Sequence, residues 1–454
     1  MLGELPSLIR KLRGNDLLIA IERPPPPDDE ALSIGIAGNG FDGNLTSDST
    51  RLNGYVLSTD VSPTILSRFG LGVPSQMSGQ PIRAEPPIDV TEVVSLGDRL
   101  STISERRGPV IGASLAVWLA GLGLAIAVSG GRLARPGVRL LGLSVVYLPL
   151  VLLAGAALEP SQGAEQALTL VGAPLLGLLT LWALGGYRAL AGASALTVLS
   201  YAIDVIAGSP LTSLSLLGPN PGLGVRFYGI GNELEALLAV LVVAGTGAAV
   251  TGFAPRLSPR RCAFAFLAVG LTLAVVFAAG RFGADVGAAI VLPIGAAVAA
   301  AAAIGARRRR TALLVVATPL AVVALLALID LASGANAHLT RSVLDAGGLG
   351  DLADVAQRRL QLSAHSFTRP IVFVFMPLIA IAVALTVTHR RRLAAWLDGR
   401  PAMRAALIGA AVATVVGTLA NDSGALLLEI GTAYLLVFLS FAWAEAERAL
   451  RGSR

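Results

Sequence analysis

The stretch Gly218-Pro-Asn-Pro-Gly-Leu-Gly-Val-Arg226-Phe-Tyr228-Gly-Ile-Gly-Asn232-Glu233 interrupts a series of long apolar runs with helix-breaking residues. Directly after it, Leu234-Glu235-Ala-Leu-Leu-Ala-Val-Leu-Val-Val243 resumes the apolar pattern. Asn232, Glu233 and Glu235 are thereby carried into the head of a hydrophobic span. A charge inside such a span is expensive, and it persists where it faces a protein interior or a water-filled cavity. The stretch therefore sets two expectations: a membrane-embedded helical protein, and a polar site where this segment enters its span.

Composition agrees with the first. Of 454 residues, 54% are hydrophobic and only 14% charged, against about 25% charged in a soluble protein. Mean hydropathy is +0.72. The deficit of charge lies beyond residue 108, so the chain divides into a polar segment, 1–108, a membrane domain, 109–447, and a short tail, 448–454. The expected fold class is mainly α, a polytopic helical domain preceded by a small α/β segment. Net charge is +6, but the basic residues sit in short clusters between apolar runs and form no face interleaved with aromatics. Nucleic acid is thus excluded as a partner. The single cysteine, Cys262, rules out an intramolecular disulfide and a cysteine metal cage.

A bilayer core of about 30 Å takes about 20 apolar residues to cross. Runs of that kind fall near 109–129, 139–157, 167–185, 189–207, 228–252, 263–280, 285–305, 312–332, 370–388, 404–420 and 424–445. Alternate connections carry Arg132, Arg135 and Arg139; Arg188; Arg256, Arg260 and Arg261; Arg307 to Arg310; Arg390 to Arg392, Arg400 and Arg404; and Arg448, Arg451 and Arg454. The other connections hold few: 158–166 and 420–423 have no Lys or Arg, while Arg226 and Arg281 stand singly. The positive-inside rule makes the arginine-rich set cytoplasmic. Eleven spans then place residues 1–108 outside a plasma membrane and the C-terminus inside.

In the polar segment, Leu17-Leu-Ile-Ala-Ile21 and Leu32-Ser-Ile-Gly-Ile-Ala37 read as short strands. Gly38-Asn-Gly40-Phe-Asp-Gly43 matches G-x-G-x-x-G, but Asn44 to Arg51 is polar and turn-like where a dinucleotide fingerprint needs a helix. It reads as a glycine-rich turn. Further on come Asp60-Val-Ser-Pro63-Thr-Ile-Leu66, then Gly70, Pro74, Gly79 and Ile82. These residues resemble the closing segment of the alkaline phosphatase/sulfatase-like superfamily, a "D-x-x-P-T-I-L" helix start followed by a "G-x-x-x-P-x-x-x-x-G-x-x-I" turn. The resemblance implies structural roles: Asp60 as N-cap and Pro63 in the first helical turn, where its missing N–H costs nothing. Residues 1–108 contain no histidine and no nucleophile region, so this segment alone lacks the metal and catalytic residues of that superfamily. Met1 to Arg13 holds no apolar run of signal length. The expectation is that upstream sequence supplies a signal and the rest of the domain.

On this topology one face collects the unusual residues. Arg226, Tyr228, Asn232 and Glu233 enter the fifth span; Arg281 and Asp285 form the turn before the seventh. His338 and Arg341 lie in the outer loop 333–369, and Asn421-Asp422-Ser-Gly424 precedes the last span. The strings Arg226-Phe-Tyr-Gly-Ile-Gly-Asn-Glu233 and Asn421-Asp-Ser-Gly424 are similar to those of a bacterial, actinobacterial-type multipass family with an extracytoplasmic phosphatase-like domain. The resemblance carries no established reaction. From their chemistry, Arg226, Arg281 and Arg341, with Tyr228, Asn232, Asp285 and Asn421, suit substrate binding, guanidinium being able to grip phosphate bidentately. Glu233, Asp422 and His338 are the acid–base candidates, and the carboxylates could instead hold a divalent ion. Two classes of function follow. One is an envelope transferase or phosphatase acting on a phosphorylated or lipid-linked substrate among membrane lipids. The other is a proton-coupled carrier or flippase using Glu233, Glu235, Asp285 and Glu429. A scaffold for a separately encoded phosphatase-like chain is a third option.

Overall fold

A computed structural model describes residues 4–22, 32–74, 77, 79–219, 227–333 and 349–451. The chain divides into two compact units: Met1–Arg106 with Pro219–Tyr228, and Arg107–Gly218 with Gly229–Arg454.

The smaller unit opens with α1 (Leu5–Ile9) and a hairpin of β1 (Leu17–Ile21) and β2 (Ile34–Gly38), paired antiparallel with Leu17 opposite Gly38. The chain then turns into β3 (Asn44–Thr46), so a strand rather than a helix follows the three glycines, as the sequence suggests. After α2 (Val61–Arg68), β4 (Arg83–Glu85) pairs antiparallel with β3, and α3 (Val90–Arg107) ends the unit. Asp60 sits at the N-cap position of α2 but makes no side-chain cap bond there. It is instead fully buried. Its carboxylate accepts from Ser47 Oγ at 2.6 Å, Ser49 Oγ at 2.6 Å, Leu57 N at 3.0 Å and Gln80 N at 2.8 Å. Thr64 Oγ1 accepts from Ile82 N at 2.8 Å. Gly79 has φ +95 and lies so close to the Thr59 carbonyl that a Cβ would collide with it. The Asp60–Ile82 pattern is thus a lock that seats residues 79–82 on the head of α2. Arg68 closes the other side, donating to the carbonyls of Asn15 at 3.1 Å and Asn39 at 2.9 Å.

The larger unit is helical: α4 (Ala113–Val128), α5 (Ala134–Leu158), α6 (Gln162–Ala183), α7 (Gly186–Ile206), α8 (Asn232–Phe253), α9 (Pro259–Ala278), α10 (Ala288–Ala303), α11 (Arg308–Ser333), α12 (Leu349–Ser366), α13 (Pro370–Thr388), α14 (Arg390–Trp396), α15 (Pro401–Ala420) and α16 (Gly424–Arg451). Among the described residues nine helices are long and apolar enough to cross a membrane, or ten if α13 and α14, bent by 77°, make one span. The 16-residue α10 is apolar but shorter. Each of the eleven expected spans coincides with a helix. Boundaries shift by a few residues, and two differences bear on the site. The fifth span begins at Asn232 rather than 228, because Phe227 and Tyr228 belong to the smaller unit. The outer loop 333–369 contains helix α12, whose polar sequence hides its periodicity.

Helix α8 is the hub. It packs on α7, α9, α10, α15 and α16 and is apolar all round below its first turn, as a helix without a solvent face must be. Its neighbours approach closely through small residues. A Cβ on Gly247 would overlap that of Ala406, one on Gly270 that of Ala296, and one on Gly409 the Gly295 carbonyl. Without a hydrophobic drive between helices in lipid, such approach supplies the dispersion contact that joins them. The outer helices expose large apolar side chains instead, including Leu124, Val171, Trp182, Leu313 and Leu320. Apolar surface on that scale is matched by hydrocarbon rather than water. The protein is a multi-pass membrane protein.

Candidate functional site

Alternating helix directions sort the connections onto two ends of the larger unit. At one end arginines hold the bundle together. Arg139 on α5 pairs with Glu445 on α16 at 3.1 Å, both largely buried. Arg400 donates to the Glu445 carbonyl at 3.1 Å and stands 5.3 Å from the Tyr187 ring centroid. Arg188 donates to the Gly252 carbonyl at 2.9 Å. These cations belong to the arginine-rich loops, and their contacts are structural.

At the opposite end three helix starts meet. Helix α8 begins with Asn232, Glu233 and Glu235 in its first turn, where carboxylates are favoured by the exposed N–H groups and the positive end of the dipole. The residues leading to α8 are laid along the turn leading to α10, with Ile230 N donating to the Gly283 carbonyl at 3.0 Å. Gly287 caps α10, and a Cβ there would run into the Glu235 carboxylate. The Glu235 side chain therefore lies against the head of α10 as well as on its own helix. From a third direction, the turn between α15 and α16 supplies two residues. Asn421 Nδ2 donates to Glu235 Oε2 at 2.6 Å, and Asn232 Nδ2 donates to Asp422 Oδ1 at 3.0 Å. Glu235 is 2% exposed and Asp285, in the turn before α10, 3%. Asp422 and Arg281 are on the surface above them.

Helix α12 positions that third element. Ser363 Oγ donates to the Thr418 carbonyl at 2.6 Å, and Ala425 N donates to Ser366 Oγ at 2.9 Å. The turn bearing Asn421 and Asp422 is thereby clamped from outside α15 and α16.

Glu233 faces a different neighbour. It pairs with Arg107 at 3.4 Å, and Arg107 Nη2 also donates to the Gly218 carbonyl at 2.7 Å. The two carboxylates at the head of α8 thus serve separate partners, consistent with a rotation of about 200° between positions two apart on a helix. Glu429, one turn into α16, is half-buried, and its Oε1 is buried without a hydrogen-bond partner.

The structure therefore joins Asn232 to Asp422 and Asn421 to Glu235, buries Asp285 in the turn before α10 with Arg281 exposed on that turn, and sets Glu233 beside Arg107. Tyr228 belongs to the smaller unit, where the Arg51 guanidinium stacks 3.7 Å from its ring centroid and Phe227 packs on Tyr55. Arg226, His338 and Arg341 lie outside the described residues. Glu235, buried at the centre of the network, and Arg107, the partner of Glu233, are the residues that the sequence reading underweighted. A signal for Glu235 was present, since it stands deeper in the apolar run than Glu233. Nothing local marks Arg107, whose partners are more than 100 residues away. Among the described residues no three His, Cys, Asp or Glu side chains are grouped so as to hold a metal ion.

Fold and site together define a polytopic α-helical membrane protein with a buried acid–amide network at one end of its bundle. Comparison with protein-family models, with curated proteins and with solved structures finds no match to this chain.

Proposed function

We propose that the protein acts at the extracytoplasmic face of a bacterial plasma membrane on a phosphorylated or lipid-linked envelope substrate, by transfer or hydrolysis. The observation that carries this reading is the meeting of three helix starts, α8, α10 and α16, in one polar network. Helix N-termini favour anions, and Arg281 adds an exposed guanidinium on the turn before α10. Asp422, surface-exposed and oriented by Asn232, is the acid–base candidate with access to a bound substrate. Glu235 and Asn421 form the buried support beneath it. The orientation comes from the arginine-rich connections at the other end, read with the positive-inside rule. The likeness of the Asp60–Ile82 lock to the closing segment of phosphatase/sulfatase-like domains points to the same substrate chemistry. Reconstituted into liposomes, the wild type is expected to release inorganic phosphate from, or transfer the head group of, a polyprenyl diphosphate-linked sugar. Asp422→Asn should lower turnover by about 10²-fold or more, the range for general acid–base groups, with insertion unchanged. Wild-type turnover in Asp422→Asn would remove this assignment.

Glu429 favours a second reading, a proton-coupled carrier or flippase. A carboxyl inside a span with a buried oxygen lacking a donor is suited to taking up and releasing a proton. Substrate movement driven by an imposed proton gradient, and abolished in Glu429→Gln, would establish that class over the first.

A further inference from the structure

One face of the helical unit carries an apolar groove of about 510 Å³. Its floor is α5 from Val138 to Leu148, about 15 Å at 1.5 Å per residue. One wall is α4, through Leu115 and Leu119, with Ile111 of the preceding turn (Gly108–Gly112); the other is α16, through Ala433, Leu436 and Val437. Leu217 and Leu237 close its upper end. The rim is open to the bilayer, since Leu119 is 58% and Leu436 39% exposed. A flexible hydrocarbon chain is the occupant a membrane-facing groove of this length and chemistry meets.

The upper end adds charge. Arg107 stands four residues before Ile111, and the carbonyl it grips is that of Gly218, next to Leu217. Its contact with Glu233 is long at 3.4 Å, and its Nε is buried without a hydrogen-bond partner. A cation with a spare donor at the head of an apolar trough complements a lipid with one anionic head and one long tail.

The geometry points to a binding site for a polyprenyl phosphate, its tail lying in the α4–α5–α16 groove and its phosphate at Arg107. The inference rests on the reading above and deepens it by naming the place that holds the lipid carrier. Phosphate recognition comes from the guanidinium, and tail recognition from burial of CH₂ and CH₃ groups.

The test uses the full chain in phosphatidylcholine nanodiscs and a polyprenyl monophosphate carrying a diazirine in its tail. After irradiation, cross-links are expected on α4, α5 and α16 lining residues such as Leu115, Val145 and Val437, and excess unlabelled polyprenyl phosphate should compete them away. The neutral polyprenol of equal length should label at least fivefold less. Ala433→Trp, which fills the groove, should cut labelling at least fivefold; Leu436→Trp at the rim serves if that variant does not fold. Arg107→Gln should bring the phosphate and the alcohol to equal labelling, and Arg107→Lys should restore part of the difference. Labelling spread evenly over the lipid-facing sides of α6 and α11, or unchanged by either tryptophan, would overturn the proposal. Turnover separates the two ideas: activity with no groove labelling sinks the groove alone, and groove labelling with no activity sinks the enzyme alone.

Discussion

Glu233 and Glu235 show how little separates two roles. They are chemically alike and two residues apart on one helix, yet one reaches a partly exposed arginine and the other enters the bundle between α10 and α15. Because Glu235 is buried, removing the amide that donates to it should cost more than neutralising Glu233. Asn421→Leu is expected to lower stability by about 1.5–3 kcal/mol, the loss of a hydrogen bond to a charged group. Glu233→Gln should cost under about 1 kcal/mol, as a partly exposed pair does. Thermal unfolding in detergent compares them, and equal melting points would show that the Asn421 bond does not support Glu235. In the smaller unit Asp60 plays the corresponding part. Asp60→Asn puts an NH₂ group where two hydroxyls and two backbone N–H groups now donate, so residues 1–106 should become protease-sensitive while the helices stay resistant. By contrast Asp48 is exposed, and the hydrogen bond from Arg83 holds its carboxyl below the usual carboxylate range. Its small contribution should be complete above about pH 4 and fade as pH falls through the lowered folded value, which the same proteolysis across pH would detect.

At the scale of elements, the sequence read the helices well and their contacts poorly. Runs of about 20 apolar residues announce helices whatever they pack against, so all eleven expected runs fall on helices, nine or ten of which are long and apolar enough to cross among the described residues. Helix α12 was not, because a helix of mixed polarity lying on other helices looks like a loop. Nor was the division of the Gly218 stretch, since glycine and proline report a break and not its destination. The close approaches on α8, α10 and α15 give the clearest test. Gly247→Val drives methyl groups into Ala406 on α15 and should destabilise by about 1–3 kcal/mol or more through overpacking. Gly163, with open space where its Cβ would lie, should accept alanine without measurable loss of the folded monomer on size-exclusion chromatography. Equal tolerance at both sites would mean that α8 and α15 are not in close contact.

Over the whole molecule the two ends divide their tasks. The arginine end is structural, and its buried pair is the test: Glu445→Ala breaks the largely buried Arg139 pair and should cost about 3–5 kcal/mol, with part recovered when Arg139→Met is added. The opposite end carries the acid–amide network on which the proposed chemistry rests. Its side of the membrane can be read by thiol labelling after Cys262→Ala. Ser161→Cys and Ser423→Cys should react with an impermeant maleimide from outside, and Asp398→Cys only after permeabilisation; the reverse pattern would invert the topology.

The sequence by itself determined the helical class, the positions of the spans and the separation of arginines from the acid–amide residues. Each of these depends on local hydrophobicity and on charge counted loop by loop. Only the tertiary structure decided which carboxylate is buried, where Tyr228 goes and how Arg107 meets Glu233. Those outcomes depend on pairings across 126, 186 and 190 residues. Such pairings are set by which helices lie side by side, and no single stretch of chain encodes that.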